Sequence, residues 1–458
     1  MEQHLPPSLL HSLQHAQGFD AKDFIHVHQQ HESIVSIRTN PTKPFNIAAS
    51  VLQIDTKVPW NTNGFYLTER PSFTIDPLFH CGAYYVQEAS SMFLEQALHQ
   101  TCDLTKALKV LDLCAAPGGK STLIQSLISK DSLLVSNEVI KTRVNVLSEN
   151  LTKWGAVNVV VTNNDPRDFQ QLSNYFDVIV VDAPCSGSGL FRKDPDAINE
   201  WSEQNVLLCS QRQQRILADI MVALKPGGIL IYSTCSFSME EDEAIADWLT
   251  IEYALESMPI QLNEEWNIVE TKSPKANAAG YRFYPNKLKG EGFFLAAFKK
   301  NKEDRSKGES TSKNSLELMS KAELASIQHW IKDFSNLSFF KWKQECITVP
   351  TSILKEIILL QSCLYLRKVG INMGAIIRNE LIPTHDLAMS TMLSNHINEV
   401  ELTYEQALQY LRKADLALDH SIKGWSLITF GGLALGLAKI LPNRINNYYP
   451  KEWRILNK

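Results

Sequence analysis

The sequence predicts an α/β fold built on a doubly wound, mostly parallel sheet, and three observations support this prediction. Apolar runs of strand length alternate with helical segments between residues 107 and 236. Several runs end abruptly in small or acidic residues, as strands of open α/β sheets do where ligands bind at their carboxyl ends. Residues 281–300 form two apolar runs around a lysine- and glycine-rich turn, and such a hairpin must join the sheet edge antiparallel.

The chain of 458 residues is long enough for about two to four domains. It starts with a helical segment followed by the strand IVSIRTNPTK, which breaks at Asn40 and Pro41, so a small mixed α+β domain is predicted. Residues 301–314 contain no apolar residue and predict a linker. The predicted units are an N-terminal domain (1–80), the α/β core (81–300), the linker, an intermediate domain (315–392) and a small β-rich module (393–458).

Composition limits the class of protein. A net charge of −5 and a pI near 6.2 argue against a protein that coats nucleic acid, although a local basic groove remains compatible with them. No apolar run approaches the roughly 18–20 residues of a membrane span, and the N-terminus lacks the pattern of a signal peptide. The eight cysteines form no C-x-x-C pair, so no metal site is predicted. We expect a cytoplasmic protein with reduced thiols and no membrane partner.

The first predicted unit of the core is a strand, a glycine-rich turn and a helix. ALKVLDLC (107–114) reads as a buried strand, AAPGGK (115–120) as the turn and residues 121–130 as the helix. Glycine lets the backbone approach a ligand closely, and the helix N-terminus offers free N–H groups. Cys114 stands where a P-loop needs glycine, and the G-x-G-x-x-G pattern is missing, so the turn suits an adenosine-type cofactor without a polyphosphate.

The next elements continue the same alternation. The strand at 133–138 ends in Glu138, a position that commonly accepts hydrogen bonds from ribose hydroxyls, and the strand at 157–165 ends in Asp165. Residues 238–249 (SMEEDEAIADWL) predict a helix with an acidic first turn. No lysine or arginine occurs between Pro226 and Thr271, so we expect this acidic face to be solvated and turned away from nucleic acid.

Two segments carry the chemistry: residues 176–197 (FDVIVVDAPCSGSGLFRKDPDA) and 227–236 (GGILIYSTCS). Each is a strand-like apolar run followed within a few positions by a cysteine, so Asp182, Cys185 and Cys235 are expected on one rim of the sheet. A thiolate that adds to carbon-6 of a pyrimidine activates carbon-5 toward an electrophilic methyl group. Lys120 and nearby helix N-termini could lower the thiol pKa. From their positions alone, Cys185 and Cys235 could each take this catalytic role or be inert packing residues.

For the other cysteines, packing is the favoured interpretation; they are Cys81, Cys102, Cys114, Cys209, Cys346 and Cys363. The C-terminal module mixes basic residues with Trp425, Tyr448, Tyr449 and Trp453. That mixture suits stacking on unpaired bases with phosphate contacts, and aromatic packing in a small core is an equally open interpretation.

Five motifs together resemble the Nol/Nop/Sun family of S-adenosylmethionine-dependent RNA cytosine-5 methyltransferases. The motifs are CAAPGGK (114–120), DAPCSGSG (182–189), RKDPD (192–196), STCS (233–236) and RFYP followed by GEGFF. The C-terminal segments IPTHDLAMS, KGW, LGLAK and NYYPKEWRI are similar to a region with a PUA-like RNA-binding module in bacterial members that act on 16S ribosomal RNA. The resemblance implies a Rossmann-like class I methyltransferase core, an N-terminal RNA-binding-type domain and S-adenosyl-L-methionine as cofactor.

The resemblance also implies roles for single residues. Cys235 would be the nucleophile and Cys185 would assist product release; DNA cytosine methyltransferases use the cysteine that follows proline instead, so Cys185 is the alternative nucleophile. Asp182 and Lys120 would belong to the catalytic group. The cofactor would contact Cys114, Ala115, Ala116, Pro117, Gly118, Gly119, Lys120, Glu138, Arg143, Asp165 and Asp182.

The implied partner is RNA, with 16S ribosomal RNA or the small ribosomal subunit favoured, and the protein is expected to act as a monomer. Two alternatives stay open: a methyltransferase for transfer RNA or DNA, and a non-catalytic RNA-binding factor in ribosome assembly. Chemistry on carbon-5 requires a base that is accessible or flipped out of its stack.

Overall fold

The computed structural model describes residues 5–30, 34–47, 50–301, 315–416 and 422–456. The predicted linker (301–314) lies outside the described residues except for Asn301. In the N-terminal part, four strands form an antiparallel sheet in the order β2-β3-β1-β4. Its elements are α1 (Pro7–Ser12), α2 (Ala21–Gln29), β1 (Val35–Thr39), β2 (Ile54–Lys57), β3 (Gly64–Leu67), α3 (Pro77–His80) and β4 (Tyr84–Val86).

The core is a doubly wound sheet, as predicted. Its elements are α4 (Leu94–Thr101), β5 (Lys109–Asp112), α5 (Gly119–Leu127), β6 (Leu133–Asn137), α6 (Lys141–Trp154), β7 (Val159–Thr162), β8 (Phe176–Asp182), α7 (Ala197–Glu200), α8 (Glu203–Ile220), β9 (Leu224–Thr234), α9 (Glu243–Tyr253), β10 (Glu256–Ser257), β11 (Val269–Lys272), β12 (Ala279–Phe283) and β13 (Phe293–Lys299). The strands β9-β8-β5-β6-β7 are parallel neighbours. The predicted hairpin, β12 and β13, joins β9 antiparallel, and β11 extends the sheet beyond it.

Alternating residues of the central strands enter two different cores. Leu111 and Ile179 pack with Leu217 and its neighbours on one face, whereas Val110 and Val178 pack on the other face in the cluster that contains helices α4 to α6. A strand that is apolar on both sides has to be covered on both sides, because its side chains point alternately to the two faces. This is the physical reason why continuous apolar runs predicted the fold class.

The C-terminal part holds two smaller sheets. Its elements are β14 (Glu317–Leu318), α10 (Lys321–Ile327), β15 (Leu337–Trp342), β16 (Glu345–Pro350), α11 (Leu354–Cys363), β17 (Leu366–Val369), β18 (Ile371–Ile377), β19 (Glu380–Pro383), α12 (His385–Met389), β20 (Asn398–Glu401), α13 (Tyr404–Arg412), β21 (Gly424–Phe430), β22 (Leu433–Leu441) and β23 (Arg444–Asn447). The sheet orders are β14-β15-β16-β18-β19 and β20-β21-β22-β23. Among the described residues, no helix combines the length and the apolar character needed to cross a bilayer.

Strand β17 departs from the predicted domain division. It lies within residues 315–392 yet pairs antiparallel with β7, so it is an edge strand of the core sheet. Leu366 and Val369 enter the core cluster, and Lys368 is buried in an ion pair with Asp386. The intermediate region is therefore joined to the core by backbone hydrogen bonds rather than only by a linker.

Buried histidines also hold the C-terminal module against the N-terminal part and the intermediate region. His80 at the end of α3 contacts the hydroxyl of Tyr449 through Nδ1 (3.1 Å) and the carbonyl of Thr74 through Nε2 (2.8 Å). His385 lies between the rings of Tyr449 and Trp453, at centroid distances of 5.2 and 5.1 Å. Burial, with the charge of Lys153, lowers the pKa of His80 to about 4 and that of His385 to about 3.

These pKa values predict that the protein loses stability in acid. The folded pKa lies below the ordinary value near 6.5, so the unfolded chain binds protons first and stability falls as the pH drops from about 6.5 toward 4. Each of the two histidines should cost about 2 kcal/mol at pH 5. The charged groups that face His385 are Lys153, Lys43 and Lys413, and all three oppose its protonation; His80 adds to this effect only where it is itself protonated.

Urea titrations at pH 7.5 and pH 5 measure this loss. His385→Phe keeps the aromatic contacts and removes the titrating group, so the difference in unfolding free energy between the two pH values should shrink by about 2 kcal/mol. The exposed His99→Gln is the matched control and should leave the difference unchanged. An unaltered pH dependence in His385→Phe would refute the assignment.

Candidate active site

The glycine-rich turn forms one wall of a cavity of about 190 Å³ at the carboxyl ends of the strands. Gly118 adopts φ 117°, a left-handed conformation that favours glycine, and α5 begins at the next residue. The lining residues are Cys114, Ala115, Ala116, Pro117, Gly119, Lys120 and Asp182 from the predicted set, together with Tyr85, Val86, Gln87, Glu88, Ser91 and Lys193. The segment around β4 was not predicted to contribute, because it precedes the strand–turn–helix unit at 107–130 and carries no local motif.

The remaining predicted cofactor residues lie around the same rim. Glu138 is buried, and one carboxylate oxygen accepts a hydrogen bond from the Ile140 N–H (2.9 Å). Its other oxygen has no hydrogen-bond partner among the described residues, although Nη1 of Arg143 lies 3.3 Å away. Arg143 also donates to the carbonyl of Ala116 (2.6 Å), so it supports the turn. A buried acceptor with a free lone pair fits a ribose hydroxyl.

Asp165 has a structural partner already. Its side chain caps the 3₁₀ helix Pro166–Gln171 by accepting from the Arg167 N–H at 3.2 Å, and it pairs with the Arg167 guanidinium. Glu138, Arg143 and Asp165 all lie outside the lining of the cavity that contains the turn.

The two predicted cysteines meet. The Sγ atoms of Cys185 and Cys235 are 3.0 Å apart, and both thiols are free. They follow β8 and β9, whose pairing puts Asp182 beside Ser233. Gly189 permits this approach, since a Cβ there would lie 2.8 Å from the carbonyl oxygen of Cys235 and 2.5 Å from that of Gly292. The expectation that strand ends bring these thiols to one rim is confirmed by the geometry.

An ion pair stands beside the thiols. Nζ of Lys120 lies 2.8 Å from Asp182, which also accepts a hydrogen bond from the Ser233 hydroxyl (2.8 Å). Burial is the largest influence on Lys120 and opposes its charge, but Asp182, Asp112 and Cys235 together outweigh burial and raise the pKa of Lys120. Lys120 is therefore a fixed cation that pairs with Asp182 and lies close enough to Cys235 to interact with it electrostatically.

The two thiols differ in their environment. The hydrogen bond with Cys235, followed by burial, raises the pKa of Cys185 well above its ordinary value. Cys185 therefore keeps its proton and can donate to the sulfur of Cys235. A third thiol, that of Cys114, is inert, because burial beside Asp112 and Asp182 raises its pKa. This agrees with the packing role predicted for Cys114.

The acidic segment after β9 contradicts its predicted solvated position. Glu241, Asp242, Glu243 and Asp247 are buried, and helix α9 begins only at Glu243. Asp242 and Glu243 face Arg282 in a buried ion-pair cluster. The cation that satisfies these acids comes from β12, about 40 residues further along the chain, so the local absence of lysine and arginine was misleading.

Glu241 is the functional candidate that the sequence did not reveal. It accepts hydrogen bonds from the N–H (2.8 Å) and hydroxyl (2.5 Å) of Ser186 and from the hydroxyl of Ser236 (2.6 Å). Gln213 on α8 donates to the same carboxylate at 3.1 Å. Ser186 follows Cys185 and Ser236 follows Cys235, so one buried carboxylate ties the two cysteine loops together.

Three family models match the chain. Residues 100–299 match the 16S rRNA methyltransferase RsmB/F family, residues 397–455 match the methyltransferase RsmF PUA domain, and residues 5–89 match the N-terminal domain of the 16S rRNA methyltransferase RsmF. Similar curated proteins are ribosomal RNA small subunit methyltransferases F. The protein from Aliivibrio salmonicida is 31% identical, covering 86% of this chain and 85% of its own, and that from Salmonella arizonae is 31% identical, covering 87% and 84%.

Solved structures agree on the fold. A methyltransferase homolog protein from Pyrococcus horikoshii is 29% identical with a TM-score of 0.52, covering 65% of this chain and all of its own. NSun6 from the same organism, in a structure with SFG, is 19% identical with a TM-score of 0.55, covering 66% of this chain and all of its own, and supports the fold alone.

The resemblance predicted from the motifs is thereby confirmed, as are the methyltransferase core and the PUA-like module. The cofactor is S-adenosylmethionine, and the glycine turn and the free oxygen of Glu138 fit a nucleoside without a polyphosphate. The chain is an RNA methyltransferase that uses this cofactor, and it belongs to the family of 16S rRNA methyltransferases RsmB/F.

Proposed function

We propose that this protein methylates carbon-5 of a cytidine in 16S ribosomal RNA through a covalent bond between Cys235 and the base. The observation that carries the proposal is the contact between the two thiols, 3.0 Å apart, beside the ion pair of Lys120 and Asp182. Transfer to an exocyclic nitrogen or a ribose oxygen needs no thiol at all. One thiol at the methyl-transfer rim suits attack on carbon-6, and the second is placed to take part in release of the product.

Attack begins at Cys235. Its sulfur forms a bond to carbon-6 of the pyrimidine, and the π electrons of the ring then make carbon-5 a nucleophile. Bound S-adenosylmethionine supplies an electrophilic methyl group on a sulfonium sulfur. Lys120 places a positive charge near the Cys235 sulfur during the attack. Nitrogen-3 of the ring takes up a proton from solvent as carbon-6 is attacked, and Asp182 is proposed to accept a hydrogen bond from that N–H group.

Release requires a base. After methylation the carbon-5 proton must leave, so that its electron pair restores the double bond and expels the Cys235 thiolate. We assign this proton to Cys185. Before the attack, its hydrogen bond with Cys235 keeps Cys185 protonated. Once Cys235 is bonded to carbon, that restraint disappears and Cys185 loses its proton to solvent more readily, which makes it available as the base.

The cofactor residues have matching proposed tasks. The turn Cys114 to Lys120 would enclose the methionine part of the cofactor, and Glu138 would accept from its ribose. Arg143 would act indirectly by fixing the turn through Ala116. Asp165 would be available only from the free side of its carboxylate. The small ribosomal subunit is the proposed partner and the cytoplasm the proposed location; the action of the relatives named above on small subunit ribosomal RNA supports both.

Bisulfite sequencing of ribosomal and transfer RNA from a deletion strain tests the proposal. One cytidine in 16S ribosomal RNA should lose protection in the deletion strain and regain it on complementation with the wild-type gene, but not with Cys235→Ala. Loss of protection in transfer RNA instead would show that transfer RNA is the substrate. If no protected cytidine is lost from any RNA of the deletion strain, the proposed chemistry is rejected. The protein would then be an RNA-binding assembly factor.

A further inference from the structure

A partly exposed group of two aromatic and two basic residues lies outside the three matched family segments. We call it the rim patch, and it consists of Trp342, Lys343, Tyr365 and Arg367. Tyr365 is 55% exposed. Nζ of Lys343 lies 4.2 Å from the ring centroid of Trp342 and 6.0 Å from that of Tyr365, and Cζ of Arg367 lies 6.0 Å from Tyr365. Neither cation forms an ion pair with a carboxylate of the described residues.

The backbone holds this patch in a defined position. Tyr365 donates its N–H to the side chain of Asn164 (3.0 Å), and its carbonyl accepts from the Asn163 N–H (3.1 Å). Arg367 donates to Asn145 on α6 (3.1 Å). Lys343 lies in the two-residue turn between β15 and β16, where it and the next residue both have positive φ, as in the tight turns favoured by hairpins. A preorganised surface of this kind loses little entropy on binding.

The rim patch lies at the same end of the sheet, the carboxyl ends of its parallel strands, as the catalytic residues. Strand β17 runs antiparallel to β7, with Leu366 opposite Thr162, so Tyr365 lies at the carboxyl end of β7. That is the end at which the cofactor turn, Asp182 and the cysteine loops follow their strands. Five strand spacings separate β9, which Cys235 follows, from β17, and this corresponds to about 24 Å. A single strand of RNA with its target base at Cys235 can reach this distance within a few nucleotides.

The side-chain chemistry fits unpaired bases. Aromatic rings stack on any base, and adjacent cations meet the phosphates between the bases. The rim patch offers two rings flanked by cations, a combination that matches the bases and phosphates of a single strand. The acid closest in sequence, Glu345, is held by the side chain of Asn372 and so leaves the cations available.

We propose that the rim patch binds unpaired nucleotides of the substrate RNA that flank the target cytidine. This inference rests on the proposed function in that the substrate is RNA with a base exposed at Cys235. It assigns the intermediate region, which is joined to the core sheet through β17, to the substrate site rather than to a spacer between the core and the PUA domain.

The test is the affinity for labelled single-stranded RNA with one cytidine, in oligonucleotides of about 4 and about 12 nucleotides. Tyr365→Ala should weaken binding of the longer oligonucleotide about tenfold and leave the shorter one unchanged. Lys343→Asn keeps the left-handed turn, because asparagine tolerates positive φ, and should reduce the salt dependence of log Kd by about 0.7. Tyr365→Trp should restore tight binding, which a merely structural role would not predict.

Controls separate this site from its surroundings. Lys106→Asn, at a residue that precedes the amino end of the central strand β5 and so lies at the opposite end of the strands, should leave RNA affinity unchanged. Ile251→Ala, at an exposed apolar residue on α9, should also leave RNA affinity unchanged. Unchanged RNA affinity in both patch variants overturns the proposal, as does a loss confined to S-adenosylmethionine affinity, which would assign the ring to the cofactor pocket. If the proposed function is wrong, the wild type shows no methyl transfer, whereas its RNA binding still depends on the rim patch. The failure of the proposed function is therefore distinguishable from the failure of this inference.

Discussion

Cys185→Ala should accumulate a covalent protein–RNA adduct when RNA and S-adenosylmethionine are both present. The reason is that Cys235 can still attack the base, whereas the proton that must leave carbon-5 has lost its acceptor. We expect turnover to fall by a factor of about 100 to 10,000, the range found for a removed general base. Gel electrophoresis under denaturing conditions with labelled 16S ribosomal RNA measures the adduct, and transfer of a labelled methyl group measures turnover.

Cys235→Ala should give neither adduct nor methyl transfer, because the bond-forming sulfur is gone. The matched control is Cys363→Ala, a free thiol at the end of α11 outside the pair, which should behave like the wild type. If the adduct appears in Cys235→Ala and not in Cys185→Ala, the two roles must be exchanged. Normal turnover in both variants would remove thiol catalysis from the account.

The parts of the site that could be predicted are those fixed by local sequence. A buried parallel strand is mostly apolar along its length, and it stops where a ligand or a turn begins. The runs VLDLC, VIVVD and ILIYSTC therefore predict both a strand and the end at which its functional residues lie. Because all carboxyl ends share one rim, Cys185 and Cys235 could be brought together across 50 residues without coordinates. The glycine turn followed from the same local logic.

What could not be predicted depends on partners distant in the chain. Strand β17 is only LRKV, too short and too polar to identify as part of a core sheet, and its burial results from pairing with β7 about 200 residues earlier. The acidic segment after β9 was interpreted as solvated because its cation, Arg282, is supplied by another strand. Local charge patterns carry no information about such non-local compensation.

Glu241 could not be predicted either, because its partners Ser186 and Gln213 lie far from it in the chain. Its replacement is the second change for which we expect a large effect. It is fully buried, burial raises the pKa of its carboxyl, and its hydrogen bonds from Ser186 and Ser236 set the spacing of the cysteine loops. Glu241→Ala should lower kcat about 100-fold with little change in S-adenosylmethionine affinity, since a displacement of about 1 Å in a reacting group has this consequence. Glu241→Gln can still accept from the Ser186 N–H and should lose less activity.

A stability control distinguishes positioning from folding. Asp247→Ala removes another buried carboxylate of the same segment, one that accepts from the backbone of Lys275 and Ala276 and has no contact with the cysteine loops. Both alanine variants leave buried N–H donors unpaired and should unfold at lower urea concentration than the wild type. Only Glu241→Ala should also lose kcat and the adduct formed in the Cys185→Ala background. Equal kcat losses in the two variants would reduce Glu241 to a folding residue, whereas the expected difference identifies it as the group that holds both thiols over one base.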